Sequence, residues 1–332
     1  MSDRSAAIGA FLTGAGWGAA AIAPLAGDAS FRHYYRLRGN GVRAVLMDAP
    51  PEREDVRPFV RIARHLRGLG FTAPFILAAD EAQGLLLLED FGDDTFSRLL
   101  QREDAEDELY PLAVDVLIRL HTLDPATAIP QALPVYDERR LLDEALLLPD
   151  WYLPAACGHP TDEAVRQSYV TCWRRALEPV LAEPHTLVLR DFHVDNLMRL
   201  AGRDGLAACG LLDFQDAVAG PAAYDLMSLL EDARRDIDPE LKARMLTRYH
   251  SGVAAAGTDA FATTFATLAA QRHAKVIGIF TRLWRRDGKP VYLAHIPRVW
   301  RLLEAALTHP ALAELNDWFS RYVPPEARRL PG

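Results

Sequence analysis

Residues 187–216 read LVLRDFHVDNLMRLAGRDGLAACGLLDFQD. The apolar run Leu187-Val188-Leu189 breaks at Arg190-Asp191-Phe192-His193-Val194-Asp195-Asn196. Two more apolar stretches follow, Leu197 to Leu200 and Leu206 to Leu212, and Asp213 ends the second. Gly202-Arg203-Asp204-Gly205 supplies turn chemistry between them, so the pattern predicts two short strands joined by a loop. Each strand then carries acid or amide oxygens at one end. Such oxygens suit a hard cation like Mg²⁺, and no Cys or His cluster offers a softer site.

The spacing carries chemistry as well. Asp191 and Asn196 stand five apart, and Asp213-Phe214 closes the following strand. That order matches the catalytic loop H-R-D-x-x-x-x-N and the later Asp-Phe-Gly of phosphoryl-transfer enzymes. In the template the first Asp accepts the proton of the acceptor hydroxyl, while Asn and the second Asp hold the metal. Asp191, Asn196 and Asp213 are the candidate catalytic residues, with Asn196 and Asp213 as metal ligands. Taken singly, each motif also reads as an acidic hairpin turn.

The rest of the chain bounds this reading. A length of 332 residues is long for one simple core, and two lobes are expected. Half the residues are hydrophobic and a quarter charged, the composition of a soluble globular protein. No apolar run approaches a membrane span, and the N-terminus MSDRSAAIGAF lacks the basic region and apolar core of a secretion signal. Cys157, Cys172 and Cys209 are scattered, which fits a reducing cytoplasm and gives neither a disulfide nor a metal pattern. A net charge of −8 without a basic tract argues against nucleic acid, so a small-molecule partner is expected, with no membrane.

Along the chain, residues 5–16 read as a short helix and Leu25 to Leu37 as two β-like runs about a Gly-Asp turn. Arg43 to Asp48 is the next strand. The following helix carries Val56, Phe59, Val60, Ala63, Leu66 and Leu69 at helical spacing, with Pro58 tolerable only in its first turn. Ala73 to Ala79 and Gly84 to Leu88 are the last strands of the sheet. From Asp93 the pattern turns helical, notably over residues 137–148, 161–181 and 260–307. Leu148 to Pro154 reads as a break between helices, and Glu231 to Asp236 as a solvated helix face. The expected fold class is α+β. Residues 1–92 form a small antiparallel sheet lobe with one helix, and residues 93–332 a larger, mostly helical lobe.

Three blocks carry a family resemblance. Asp191 to Asn196, then Leu211-Leu212-Asp213-Phe214-Gln215-Asp216, then Gly220-Pro221-Ala222-Ala223-Tyr224-Asp225-Leu226 resemble the aminoglycoside phosphotransferase/choline kinase superfamily. Its usual pattern is H-G-D-x-H-x-x-N, then I-D-F/W and a later D-L; here Leu189-Arg190 replaces the His-Gly. Asp28 to Arg32, Met47 to Pro51 and the block from Gln271 to Arg298 narrow the resemblance. They are similar to the anomeric amino-sugar kinases of bacterial cell-wall recycling, which phosphorylate N-acetylmuramate and N-acetylglucosamine at C1.

The resemblance implies a protein-kinase-like two-lobed fold, ATP with Mg²⁺, and an amino-sugar acceptor. It assigns Gly27, Ser30 and Phe31 to a phosphate-covering turn, and Glu89 and Phe91 to the hinge beside the adenine. Met47 stands where such kinases carry a phosphate-gripping Lys. Either Arg32 or Arg43 takes that place, or Mg²⁺ carries more of the charge. Glu52 or Glu54 is the acid expected opposite, and Asp225 is expected to hold the catalytic loop. The implied acceptor side comprises Asp191, His193, Asp216, Tyr152, Arg272 and Lys275. A kinase for an aminoglycoside, choline or homoserine is the alternative, and a nucleotide-binding protein without turnover a further one.

Overall fold

A computed structural model describes residues 3–25, 31–39, 41–102, 104–328 and 330, with only the backbone at Asp3 and Ala255. The chain forms two compact units. The first combines Met1–Val116 with Val194–Asp216, and the second Leu117–His193 with Ala217–Gly332. Residue 92, where the lobes were expected to part, lies inside the first unit.

The first unit is built on five antiparallel strands: β1 (Ala21–Pro24), β2 (His33–Gly39), β3 (Val42–Asp48), β4 (Ile76–Asp80) and β5 (Leu85–Glu89). Their order is β1-β2-β3-β5-β4, which puts β2, β3 and β5 inside. Leu85 to Leu88 are buried without a break, as a strand covered on both faces requires. Period-two alternation then divides the sheet. Leu37, Ala44, Leu46, Leu85 and Leu87 pack with Leu12 of the helix Asp3–Gly14, which leaves Val45 and Leu88 for the other face. The helix Arg57–Gly68 buries Phe59, Val60, Ile62, Ala63 and Leu66, and Pro58 falls in its first turn, where no N–H is missed. The two predicted strands after Asn196 form a hairpin, Leu197–Arg199 with Cys209–Leu211. Leu206 to Ala208 are a 3₁₀ turn instead of strand, because Leu200 already pairs with the Ala208 carbonyl.

The second unit is mostly helical around the 29-residue helix Asp259–Asp287. Thr258 caps its start through the Phe261 N–H, and left-handed Gly288 ends it at φ 66°. A two-stranded pair, His185–Val188 with Val218–Pro221, carries the chain into and out of the motif region. Two expectations are corrected. Leu148 to Pro154 does not break the helices, because a π-turn over Leu148–Tyr152 runs straight into the helix Leu153–Cys157. Pro149 and Pro154 each occupy a first-turn position, where proline costs nothing. Glu231 to Asp236 is not a solvated helix face either, since the helix Ala223–Leu230 has ended and Glu231 and Asp232 are buried. Glu231 is held by His273 at 2.6 Å and Lys242 at 2.7 Å. No helix among the described residues is long and apolar enough to cross a membrane.

Gly278 fixes how the long helix packs. A Cβ there would lie 2.3 Å from the Leu147 carbonyl carbon, and backbone cannot swing aside as a side-chain tip can. Gly278→Ala should therefore lower stability by roughly 2 kcal/mol, although alanine favours helix by about 1 kcal/mol. Urea unfolding midpoints check this, and an unchanged or raised midpoint would refute the contact.

Candidate functional site

In the first unit the strand face left free by the Asp3–Gly14 helix borders a cavity of 360 Å³. Its walls include Tyr34, Val45, Leu88, Glu89, Phe91 and Met198, and its polar end holds Asn196 and Asp213. The volume lies in the range of small-molecule sites. Gly210 lets the hairpin approach the Phe91 ring, where a Cβ would sit 2.9 Å from ring carbons. Hairpin pairing turns the end of the strand so that the Leu212 N–H donates to the Asn196 carbonyl at 3.0 Å. Both oxygen-bearing side chains thus border one space. Asp213 adopts φ 56°, a left-handed conformation uncommon for a non-glycine residue.

The charges around Asp213 are specific. Arg32 Nη1 lies 3.5 Å from Asp213 Oδ1, and Arg32 Nε lies 3.4 Å from Glu54. Burial opposes the Arg32 charge, but Tyr34, Asp213 and Glu54 outweigh it and raise its pKa. Gln215 Nε2 donates to Asp213 at 2.7 Å and to the exposed Asp216 at 3.3 Å, tying the two acids together. Arg43 is about half exposed and stands 3.7 Å from Asp90, among a different set of acids. Met47, where the Lys was sought, is fully buried. Phe31 is exposed, with the Arg53 guanidinium 4.8 Å from its ring centroid and its N–H 3.3 Å from Glu54. Gly27 and Ser30 lie outside the described residues.

One constellation went unforeseen. Arg36 on β2 reaches the end of β5, where its Nη2 donates to Asp90 at 3.0 Å and to the Gly92 carbonyl at 2.9 Å, and its Nη1 to Asp93 at 2.7 Å. The hydrogen bond from Arg36 holds the Asp93 carboxyl below its ordinary value. Glu89 is engaged by Arg203, which also lies over the Phe91 ring, and the Glu89 N–H donates to the Phe75 carbonyl at 2.8 Å. The sequence signal for Arg36 was its alternation with Tyr34 on one face of a strand.

In the second unit Asp191 follows the end of the strand His185–Val188. The fully buried Asp225 carboxylate accepts the Leu189 N–H at 2.6 Å and the Arg190 N–H at 2.9 Å. Burial pushes the Asp225 pKa up to about 7, against the pull of those two bonds. Asp191 has Arg272 Nη2 at 3.6 Å. Burial raises its carboxyl, but Arg272, Lys275, His193 and Arg190 more than offset this and hold it below the usual range. Arg272 also donates to the Arg190 carbonyl at 3.1 Å and the Tyr224 hydroxyl at 3.0 Å. His193 is buried, and desolvation lowers its pKa.

Glu144 was missed, and it gathers this region. It takes Lys275 Nζ at 2.9 Å, Gln271 Nε2 at 3.1 Å, the Tyr136 hydroxyl and the Arg190 guanidinium. Burial would raise its pKa, but Lys275, Arg190 and the Tyr136 hydroxyl bring it down to about 2. Tyr152 belongs elsewhere. It is completely buried with its ring edge toward Trp300, 5.4 Å between centroids, so it is a core residue and not one that stacks on a sugar.

Arg190 itself has φ 69°, where a glycine would sit without strain. Arg190→Gly should accordingly be more stable than Arg190→Ala by about 1 kcal/mol, the reverse of their helical order. Thermal or urea midpoints of the two variants check this, and alanine at or above glycine would contradict the assigned conformation.

Comparison with known proteins agrees with this fold. A sequence profile of the phosphotransferase enzyme family matches residues 21–263. A Caulobacter vibrioides protein named N-acetylmuramate/N-acetylglucosamine kinase is 37% identical and covers 99% of both chains. A Pseudomonas aeruginosa protein of the same name is 39% identical over 91% of this chain and 89% of its own. Among solved structures, choline kinase LicA from Streptococcus pneumoniae superposes with a TM-score of 0.65 at 12% identity, covering 93% of this chain and 100% of its own. ADP-bound aminoglycoside phosphotransferase APH(2'')-Ib gives 0.57 at 17%, covering 86% and 93%. The protein-kinase-like α+β fold and the extent of these matches establish that this chain belongs to the phosphotransferase enzyme family.

Proposed function

We propose that the chain is an ATP-dependent kinase that phosphorylates the anomeric hydroxyl of N-acetylmuramate and N-acetylglucosamine, in the recycling of peptidoglycan. The observation that carries this reading is the near-full-length likeness to two relatives bearing that substrate pair in their names. Charge supports it. The neighbours of Asp191 are Arg190, Arg272 and Lys275, a poor setting for polycationic aminoglycosides or choline and a suitable one for an N-acylated, carboxylated sugar.

In this reading the nucleotide occupies the cavity of the first unit, with its base at Glu89 and Phe91 and its phosphates on the side of Phe31 and Arg32. Arg32 takes the part of the missing Lys, with Glu54 as its acid, an arrangement supported by their 3.4 Å approach. Asn196 and Asp213 would hold Mg²⁺ as two of its hard oxygen ligands, the rest coming from water and phosphate. Bound Mg²⁺ supplies neutralisation of phosphate charge during transfer. Asp191 orients the sugar hydroxyl and accepts its proton. A hemiacetal hydroxyl is more acidic than an ordinary alcohol, so a carboxylate held below its usual pKa suffices as base. His193, Asp216, Arg272 and Lys275 complete the acceptor side. The cation at Arg32, near Glu54 and Asp213, supports this reading over that of a nucleotide-binding protein without turnover.

Asp191→Asn should keep nucleotide affinity and lose at least about 10²-fold in turnover. ADP release measured with N-acetylmuramate, N-acetylglucosamine, kanamycin and choline tests both base and acceptor, and the first two sugars alone should stimulate it. Near-normal turnover in the variant rejects Asp191 as base, and a response to kanamycin or choline alone rejects the acceptor. Arg32→Met should raise the KM for ATP by roughly 10-fold or more while Arg32→Lys recovers part of it; an unchanged KM for ATP would remove Arg32 from the phosphate site.

A further inference from the structure

A cavity of 170 Å³ lies beside the strand pair His185–Val188 with Val218–Pro221. Tyr136, Arg140, Asp143, Glu144, Arg190 and Val218 line it, all from the second unit. Two chains of contacts join it to the acceptor side. Arg190 is bonded through its backbone to Asp191, and its guanidinium is held at Glu144 in the cavity wall. The gap between Asp191 and that wall is therefore spanned by one arginine side chain. The long helix Asp259–Asp287 bridges it a second time, with Arg272 3.6 Å from Asp191 and Lys275 2.9 Å from Glu144. Residues three apart on a helix are neighbours, with Cβ atoms about 5–6 Å apart. Both routes give a separation of the order of one sugar ring.

The charges in the cavity leave one cation over. Glu144 is matched by Lys275 and Arg190, and Asp143 by Arg139 at 3.7 Å. Arg140 is exposed, and among the described residues no carboxylate forms an ion pair with its guanidinium. Only its backbone N–H is taken up, by the capping carboxylate of Asp137 at 2.9 Å. Arg140 also stands in the first turn of the helix Glu138–Ala145, where the helix dipole disfavours a positive charge. Local structure thus gives this guanidinium no partner, and an anion entering the cavity would supply one.

Size limits what that anion can be. The volume is below that of sites holding a whole small molecule and suits one side arm of a substrate whose ring lies at Asp191. N-acetylmuramate bears a lactyl carboxylate on the ring carbon two positions from C1, and N-acetylglucosamine has a neutral hydroxyl there. We propose that this cavity receives the lactyl carboxylate of N-acetylmuramate, with Arg140 as its ion partner, and so sets the preference between the two acceptors. This rests on the acceptor assignment made above. With N-acetylglucosamine the cavity holds water, and Arg140 has no part in binding.

The test is steady-state kinetics of the full chain with each sugar. Arg140→Met should raise the KM for N-acetylmuramate roughly 10-fold, the loss of one hydrogen bond to a charged group, and leave that for N-acetylglucosamine within about twofold. Arg140→Lys should recover part of the loss, because it keeps the charge, and Arg140→Glu should exceed the Met variant on N-acetylmuramate alone. Retained N-acetylglucosamine turnover shows that each variant is folded. Equal effects on the two sugars, or none on N-acetylmuramate, overturn the proposal for Arg140 and its cavity alone. Wild-type protein that consumes ATP with neither sugar overturns the acceptor assignment, and this proposal with it.

Discussion

Two backbone N–H groups, those of Leu189 and Arg190, have no strand partner where the chain leaves its short sheet, and one buried carboxylate accepts both. Buried donors left unmade cost more than their bonds contribute when formed, so the chain cannot relax here without losing Asp225 as an acceptor. The position of Asp191 follows from that constraint. Its carboxylate is aimed by backbone that a second acid has pinned, and Arg190 accepts an unfavourable φ to stay in register.

The surrounding charges show why the arrangement is stable. Arg190, Arg272 and Lys275 would repel one another and overwhelm a lone Asp191. Glu144 offsets two of them from the helix Glu138–Ala145, and its remaining capacity is filled by Gln271 and Tyr136. A partly buried ion cluster of this kind contributes little net stability, because desolvation consumes most of the attraction. Its effect is on geometry, since each cation of the cluster faces one acid, Arg190 and Lys275 at Glu144 and Arg272 at Asp191.

The strands and the apolar helix after β3 were legible because each is a local pattern, a period or a fixed separation. Arg36 and Glu144 were not, since their partners come from 54 and 46 residues away and no local rule brings them together. Glu231 and Asp232 misled for the same reason. A run of charges has the composition of a solvated face, and only His273 and Lys242, supplied by other helices, turn it into a buried pair. The π-turn escaped because two prolines usually end a helix, and a first-turn position is visible only once the helix boundary is known. Tyr152 shows the limit for aromatics, where sequence does not distinguish a ring that fills a joint from one that lines a cavity.

The first lysine of the chain is Lys242, so the unit that holds the nucleotide-sized cavity has none. Kinases that grip phosphates with an amine can be labelled there by acylating nucleotide analogues, which need a nucleophilic nitrogen. Guanidinium groups stay protonated and do not acylate under such conditions. Reagents of that class would find no lysine to label in this unit.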